Sequence, residues 1–290
     1  MSNPTNLPSI PPPPPPVMAN FTPNRHKNFF PTHATGCGID ECSWADAWPE
    51  LQKACFLCKV CTYAPPKACR YNNIPSILQK GPTCGLAALS MLLNGNPTAE
   101  ELLKKAKQLN YTNNGEMFSA KNLFKLICDT LTDRDNDGSK TTTVTTATVA
   151  GGSEMPQFDC QMYEGQLNCA KVRDCLLNGA CIFIAYDPDF NNLPCLKYGH
   201  KAHWALIIGY LIDERDEFYV IARHGKSKNL AVWSLKSLSA SNSNLEEFSQ
   251  PIGYPNCEFL LPKDGIGGEL GLKNQAIIVS GWNKETFIVR

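Results

Sequence analysis

A chain of 290 residues is long enough to bury a substantial core, and its 27 Lys plus Arg balance 27 Asp plus Glu, so no net field draws it to nucleic acid or to an anionic membrane. No apolar run is long enough to span a bilayer, and the N-terminus MSNPTNLPSIPPPPPP has neither the basic start nor the apolar stretch of a secretion signal, which predicts a cytoplasmic protein. In that compartment most of the fourteen cysteines are expected to stay reduced, with metal binding and catalysis as their special uses.

Residues 1 to 35 are rich in Pro and Asn and hold too few apolar side chains, Phe21, Phe29 and Phe30 among them, to form a core. They read as a disordered tail ahead of one domain over 36–290. Within the tail Pro11 to Pro16 are six consecutive prolines, a polyproline II rod that serves either as a ligand for an aromatic groove or as a stiff spacer. Next come Cys55, Cys58, Cys61 and Cys69, a count that fits structural zinc. Their irregular spacing argues instead for reduced structural thiols, and ACFLCKVC reads as a helix with Cys55 and Cys58 on one face and Phe56 buried.

From Cys84 to Leu93 apolar residues cover nearly all faces, which predicts a buried helix with Thr83 as its cap. Thr98 to Glu101 is a capping-box pattern ahead of LLKKAKQL, and Ser119 opens the helix AKNLFKLICDTL. The segment Asp133 to Val144, DRDNDGSKTTTV, imitates a calcium loop but ends on Val144 where a bidentate Glu belongs, so a surface loop is expected. CAKVRDCLLNGA then reads as a helix closing at Gly179. There the period changes: CIFIAY reads as a buried strand, and AHWALIIGYLI and EFYVIAR as an antiparallel hairpin turning at Asp213 to Asp216. Runs at Ala231 to Trp233, Cys257 to Leu261, Ala276 to Val279 and Thr286 to Val289 are expected to extend the sheet. Helices first and an antiparallel sheet second predict an α+β fold.

GPTCGLAAL, residues 81 to 89, puts Cys84 in the first turn of its helix, where unpaired N–H groups and the positive dipole end favour a thiolate. The plain alternative is a buried structural thiol, and a base elsewhere decides between them. The five histidines stand at 26, 33, 200, 203 and 224. His203 opens the strand HWALIIGY, a rigid mount for a catalytic imidazole. Gln79, five residues before Cys84, can aim an amide N–H at a developing oxyanion, with the Cys84 N–H as second donor. The chemistry expected of this set is a Cys84–His203 ion pair whose thiolate attacks a carbonyl, the amine leaving with a proton from His203. It calls for no metal and no cofactor.

The segments QKGPTCGLAALSMLL, GHKAHWALIIGY and EFYVIARHGKSKNLAVWSL, behind a polyproline tail, together resemble the actin maturation protease family over residues 70 to 290. The resemblance implies a papain-like cysteine peptidase fold, similar to the bacteriocin-processing peptidases. It also implies a cytosolic enzyme that removes the acetylated first residue, Met or Cys, from immature actin and exposes the acidic residue behind it. On it the nucleophile is Cys84, the base His203 and the oxyanion donor Gln79. With actin as substrate, the expected partner of Pro11 to Pro16 is profilin. Papain-type peptidases place Asn or Asp one strand after the base. Here Ala222-Arg223-His224-Gly225 stands in that place, so His224 is a candidate to orient His203, and Arg223 with His224 a candidate pair for the substrate's acidic residue. Two other readings stay open: a catalytically silent scaffold recruiting a polyproline-binding partner, and a cysteine peptidase or isopeptidase of other specificity.

Overall fold

The computed structural model describes residues 41–136, 159–281 and 285–289. The tail with Pro11 to Pro16, and the calcium-like loop past Asp133, lie outside the described side chains. In chain order the elements are α1 (Pro49–Cys58), β1 (Ala68–Asn72), α2 (Cys84–Leu92), α3 (Ala99–Gln108), α4 (Ala120–Asn136), β2 (Asp159–Glu164), α5 (Ala170–Leu177) and β3 (Cys181–Pro188). The two-residue β4 (Pro194–Cys195) follows, then β5 (His203–Ile212), β6 (Phe218–His224), β7 (Ala231–Ser234), α6 (Leu235–Ser243), β8 (Gln275–Ser280) and β9 (Thr286–Val289). The fold is α+β. Its described strands pair antiparallel in the path β2-β8-β3-β5-β1-β9, with β6 beside β5, β7 beside β6 and β4 beside β3.

β5 is the hub. The stretch His203 to Ile207 pairs with β3 and the stretch from Gly209 pairs with β1, while β6 follows the opposite edge. Both faces of the sheet are covered, which is why HWALIIGYLI reads as a continuous apolar run instead of an alternating one. Trp204, Leu206 and Ile208 enter the core shared with α2 and α4, whereas Ala205 and Ile207 enter the core beneath α5 and α6. An irregularity between Ile207 and Gly209 shifts the phase, so that Leu211 and not Tyr210 continues the first core.

The capping box at α3 closes as the sequence predicts: Glu101 N donates to Thr98 Oγ1 at 3.2 Å and Thr98 N donates to Glu101 Oε2 at 2.8 Å. Thr83 does not cap α2, because its hydroxyl donates to the Lys80 carbonyl at 3.0 Å. Cys257 to Leu261 forms no strand. Side chains replace a ladder there, with Asn114 Nδ2 donating to Glu258 O at 2.7 Å and the Glu116 carboxylate accepting from Leu260 N at 2.9 Å. β1 precedes the second helix and joins the sheet between β5 and β9, so the helices do not all come before the strands. Phe56, expected inside, is 44 % exposed, with the Lys59 ammonium 4.3 Å from its ring.

Cys42, Cys55, Cys58, Cys61 and Cys69 pack in and against the first core. Among the described residues no group of three His, Cys, Asp or Glu is arranged to hold a metal ion. Burial pushes the Cys61 and Cys69 thiols up to about 12, and at neutral pH both are protonated.

Candidate active site

α2 is buried along its whole length from Gly85 to Leu92, so packing fixes the direction in which Cys84 points. Gly85 permits a close approach: a Cβ there would stand 3.2 Å from Trp204 Cδ1 and 3.3 Å from the Met117 side chain. The Trp204 indole N–H donates to Met117 O at 2.7 Å and ties the same three segments together. Helix and strand thus close on each other until the Cys84 sulfur meets the backbone N–H of Trp204, next to His203, along with the N–H groups of Gly85 and its own residue. Burial raises the Cys84 thiol, and it outweighs the pull of those N–H groups and of Lys226, which act the other way. The lowered pKa expected from the helix start is therefore not what the free site has.

His203 begins β5 with 3 % of its surface exposed. Its ring lies 5.9 Å from Tyr186 and 6.0 Å from His224, which in turn lies 5.8 Å from Trp233. Burial, then Lys226 and His224, hold His203 well below the usual imidazole range, and burial followed by Lys226 lowers His224 to about 4. Both rings are neutral at pH 7. His203 Nε2 and His224 Nδ1 are each buried without a hydrogen-bond partner among the described residues.

The loop that delivers His203 is pinned by an acid that sequence reasoning missed. Asp187, at the end of β3 and fully buried, accepts from the backbone N–H groups of Lys197 at 3.1 Å, Gly199 at 2.7 Å and Lys201 at 3.0 Å. The available signal was an acid closing an unbroken apolar strand, CIFIAYD, where a charge needs several donors to be tolerated.

Gln79 reaches the site from the turn before α2. Its backbone N–H donates to Gly225 O at 2.9 Å and its Nε2 donates to Gly81 O at 2.8 Å, which leaves one amide N–H for a ligand. Gly225 is its seat, since a Cβ there would come within 2.8 Å of Gln79 Oε1 and 2.9 Å of Gln79 Cβ. Arg223 is elsewhere. Buried at 4 % exposure, it donates to Ile74 O at 2.9 Å, Lys228 O at 3.0 Å and Glu50 Oε2 at 2.6 Å, so it ties β6 to α1 and is not available to a substrate carboxylate.

Gln79, Cys84 and His203 share one cleft of 620 Å³. Two groups of side chains line it. Phe118, Phe248, Tyr254 and Phe259 form an aromatic group with neighbouring ring centroids 5.2 to 6.4 Å apart. Glu116 holds its loops together through the N–H groups of Asn113, Asn114 and Leu260. Lys197, Lys201 and Lys226 form a basic group. A thiol at a helix start, an imidazole and an amide donor are the parts that acyl transfer through a thiol uses.

Comparison with known proteins places the chain beside a protease family. Residues 74–153 and 145–211 match the family profile described as actin maturation protease-like, C-terminal domain. The chain is 52 % identical over 251 residues to the actin maturation protease of Drosophila melanogaster, covering 87 % of this chain and 85 % of that protein. It is 30 % identical over 254 residues to that of Danio rerio, covering 74 % and 75 %, and 29 % identical over 242 residues to that of Xenopus tropicalis, covering 72 % of each.

Proposed function

This chain belongs to the actin maturation protease family, and on that premise we propose that it is a papain-like cysteine peptidase removing the N-acetylated first residue, Met or Cys, from immature actin. The observation that carries the proposal is the meeting of Cys84, His203 and Gln79 at one cleft from a helix start, a strand start and the turn between β1 and α2.

Because burial keeps the Cys84 thiol protonated and His203 neutral, the ion pair forms during attack. His203 takes the thiol proton as the sulfur bonds to the carbonyl carbon of the first residue. The carbonyl oxygen becomes an oxyanion and accepts from the Cys84 N–H and the second N–H of the Gln79 amide. As the C–N bond breaks, His203 returns the proton to the leaving amine, which departs as the shortened protein. Water, deprotonated by His203, then hydrolyses the thioester and frees the N-acetyl amino acid. His224 flanks the base, its ring edge-on to that of His203 at 6.0 Å. An acetylated N-terminus carries no charge, so the aromatic group of the cleft, not an acid, receives the acetyl and the first side chain.

The prolines Pro11 to Pro16 hold the enzyme beside profilin-bound actin; their deletion is expected to slow processing of that complex and to spare a short acetylated peptide. The main test is mass spectrometry of actin N-termini in cells lacking the protein, complemented with wild type or Cys84→Ala. Acetylated, unprocessed actin should persist with Cys84→Ala, and restored processing would remove Cys84 as nucleophile.

A further inference from the structure

We propose that Lys226, together with Lys197 and Lys201, forms a subsite for the carboxylate of the residue that follows the scissile bond, so that the cleft selects peptides with an acidic second residue. This rests on the peptidase reading above and names the side chains that would set its specificity.

The position follows from the chemistry of the leaving group. His203 must hand its proton to the departing amine, so the residue carrying that amine lies beside His203 at the moment of cleavage. Lys201 stands two residues before His203, on the loop that Asp187 pins. Lys226 stands two residues after His224 and directly follows Gly225, whose carbonyl accepts from the Gln79 backbone. One lysine is thus fixed to the segment of the base and the other to the segment of the oxyanion donor, and both line the cleft.

Their charge is uncompensated. Among the described residues Lys197, Lys201 and Lys226 line the cleft without an ion pair to a carboxylate. Lys197 Nζ donates to the Pro188 carbonyl. The nearby acid, Asp187, already accepts three backbone N–H groups, and the nearby His203 and His224 are neutral. Lys226 is exposed overall; partial desolvation of its ammonium, then Lys201 and Lys197, weaken its hold on its proton, against Cys84 and Asp187. A substrate carboxylate supplies the missing counter-charge. Binding it also acts on the reaction, because Lys226 lowers the proton affinity of His203 and its neutralisation strengthens that base. An acidic second residue therefore raises kcat as well as lowering KM.

The experiment compares two peptides that differ only at the second position, acetyl-Met-Asp and acetyl-Met-Asn. The Asp peptide should be favoured by about 10- to 100-fold in kcat/KM, the range of a charged hydrogen bond, and the ratio should shrink as salt screens it. In Lys226→Met the ratio should fall toward one, and in Lys226→Glu a peptide with Lys second should overtake the Asp peptide. The Cys84→Ala protein, titrated with both peptides by fluorescence anisotropy, reads the same preference without turnover. Equal kcat/KM for the two peptides on the wild type overturns the subsite and leaves the peptidase reading intact. If neither peptide is cleaved, tighter binding of the Asp peptide keeps the subsite and rejects the peptidase reading, and equal binding rejects the subsite too.

Discussion

Cys84 and Cys55 are the same residue type on two helices of one protein, and burial raises both thiols. What comes after burial separates them. Around Cys84 the next influences are N–H groups and Lys226, all favouring the thiolate, whereas around Cys55 they are the thiols of Cys42, Cys61, Cys69 and Cys58, all opposing it. After burial, the β5 N–H of Trp204 and then Lys226 act most on Cys84, and helix polarity adds to them. Cys84 is the first residue of α2 and meets unpaired N–H groups, while Cys55 lies in the last turn of α1, where its own carbonyl accepts from Val60 N at 3.0 Å. A cysteine's chemistry is decided by the end of the helix it occupies and by the charges facing it, so a count of cysteines says little.

Exchanging each thiol tests the contrast most strongly. Cys84→Ala should abolish processing with the melting temperature preserved. Cys55→Ala should keep processing and lose about 1 kcal/mol of stability to a small cavity, measured by urea unfolding. If a folded Cys55→Ala protein were inactive, the two sites would not be separable in this way.

Acid sharpens the difference next, because buried histidines flank Cys84 and, among the described residues, none flanks Cys55. His224 titrates at about 4 in the folded protein against 6.5 in its reference state, so between those values the unfolded chain binds the extra proton. Stability is fully present above pH 6.5 and falls by about 3 kcal/mol as pH drops to 4. His224→Gln should reduce that slope in unfolding measured from pH 7.5 to 4, leaving the part that the likewise depressed His203 contributes. An unchanged slope would mean that His224 is already protonated in the fold.

Gln79→Ala is expected to lower kcat by about 100-fold with little change in KM, the pattern of a lost oxyanion donor. A loss confined to KM would make Gln79 a substrate-binding residue. The smallest effect is assigned to Gly225→Ala. Its new methyl would press on Gln79, which stands 2.8 Å from that point, and the shifted amide should cost about 10-fold in kcat. Unchanged kinetics would show that Gln79 moves aside without penalty.

The parts of this site that could be read from sequence are those with local causes. Cys84 follows a Gly-Pro turn and leads a buried helix, and His203 opens an apolar strand of 10 residues. Thr98 and Glu101 make their capping box within four residues. What escaped depends on partners far along the chain. The edge strand β2 is only partly buried along its length and so shows no apolar run, and β1 finds β5 and β9 across more than a hundred residues. Asp187 reads as the last residue of an apolar strand and Glu116 as a loop acid until the backbone N–H groups they collect are brought near. Arg223 looks like a cation for substrate because its three acceptors, at Ile74, Lys228 and Glu50, are scattered. Cys257 to Leu261 has the composition of a strand, but its apolar Phe259 serves the cleft.

The way Asp187 holds the loop before His203 separates two kinds of heritable change. All three of its bonds come from main-chain donors, at Lys197, Gly199 and Lys201, and a main-chain N–H is supplied by every residue except proline. Gly199 is constrained for another reason, its φ of +96° and the Ile266 methyl 2.5 Å from where a Cβ would stand. At 197 and 201 the side chain is therefore independent of the anchor, and a lineage or a designer can rewrite the charge presented to the incoming peptide one codon at a time while the imidazole keeps its place.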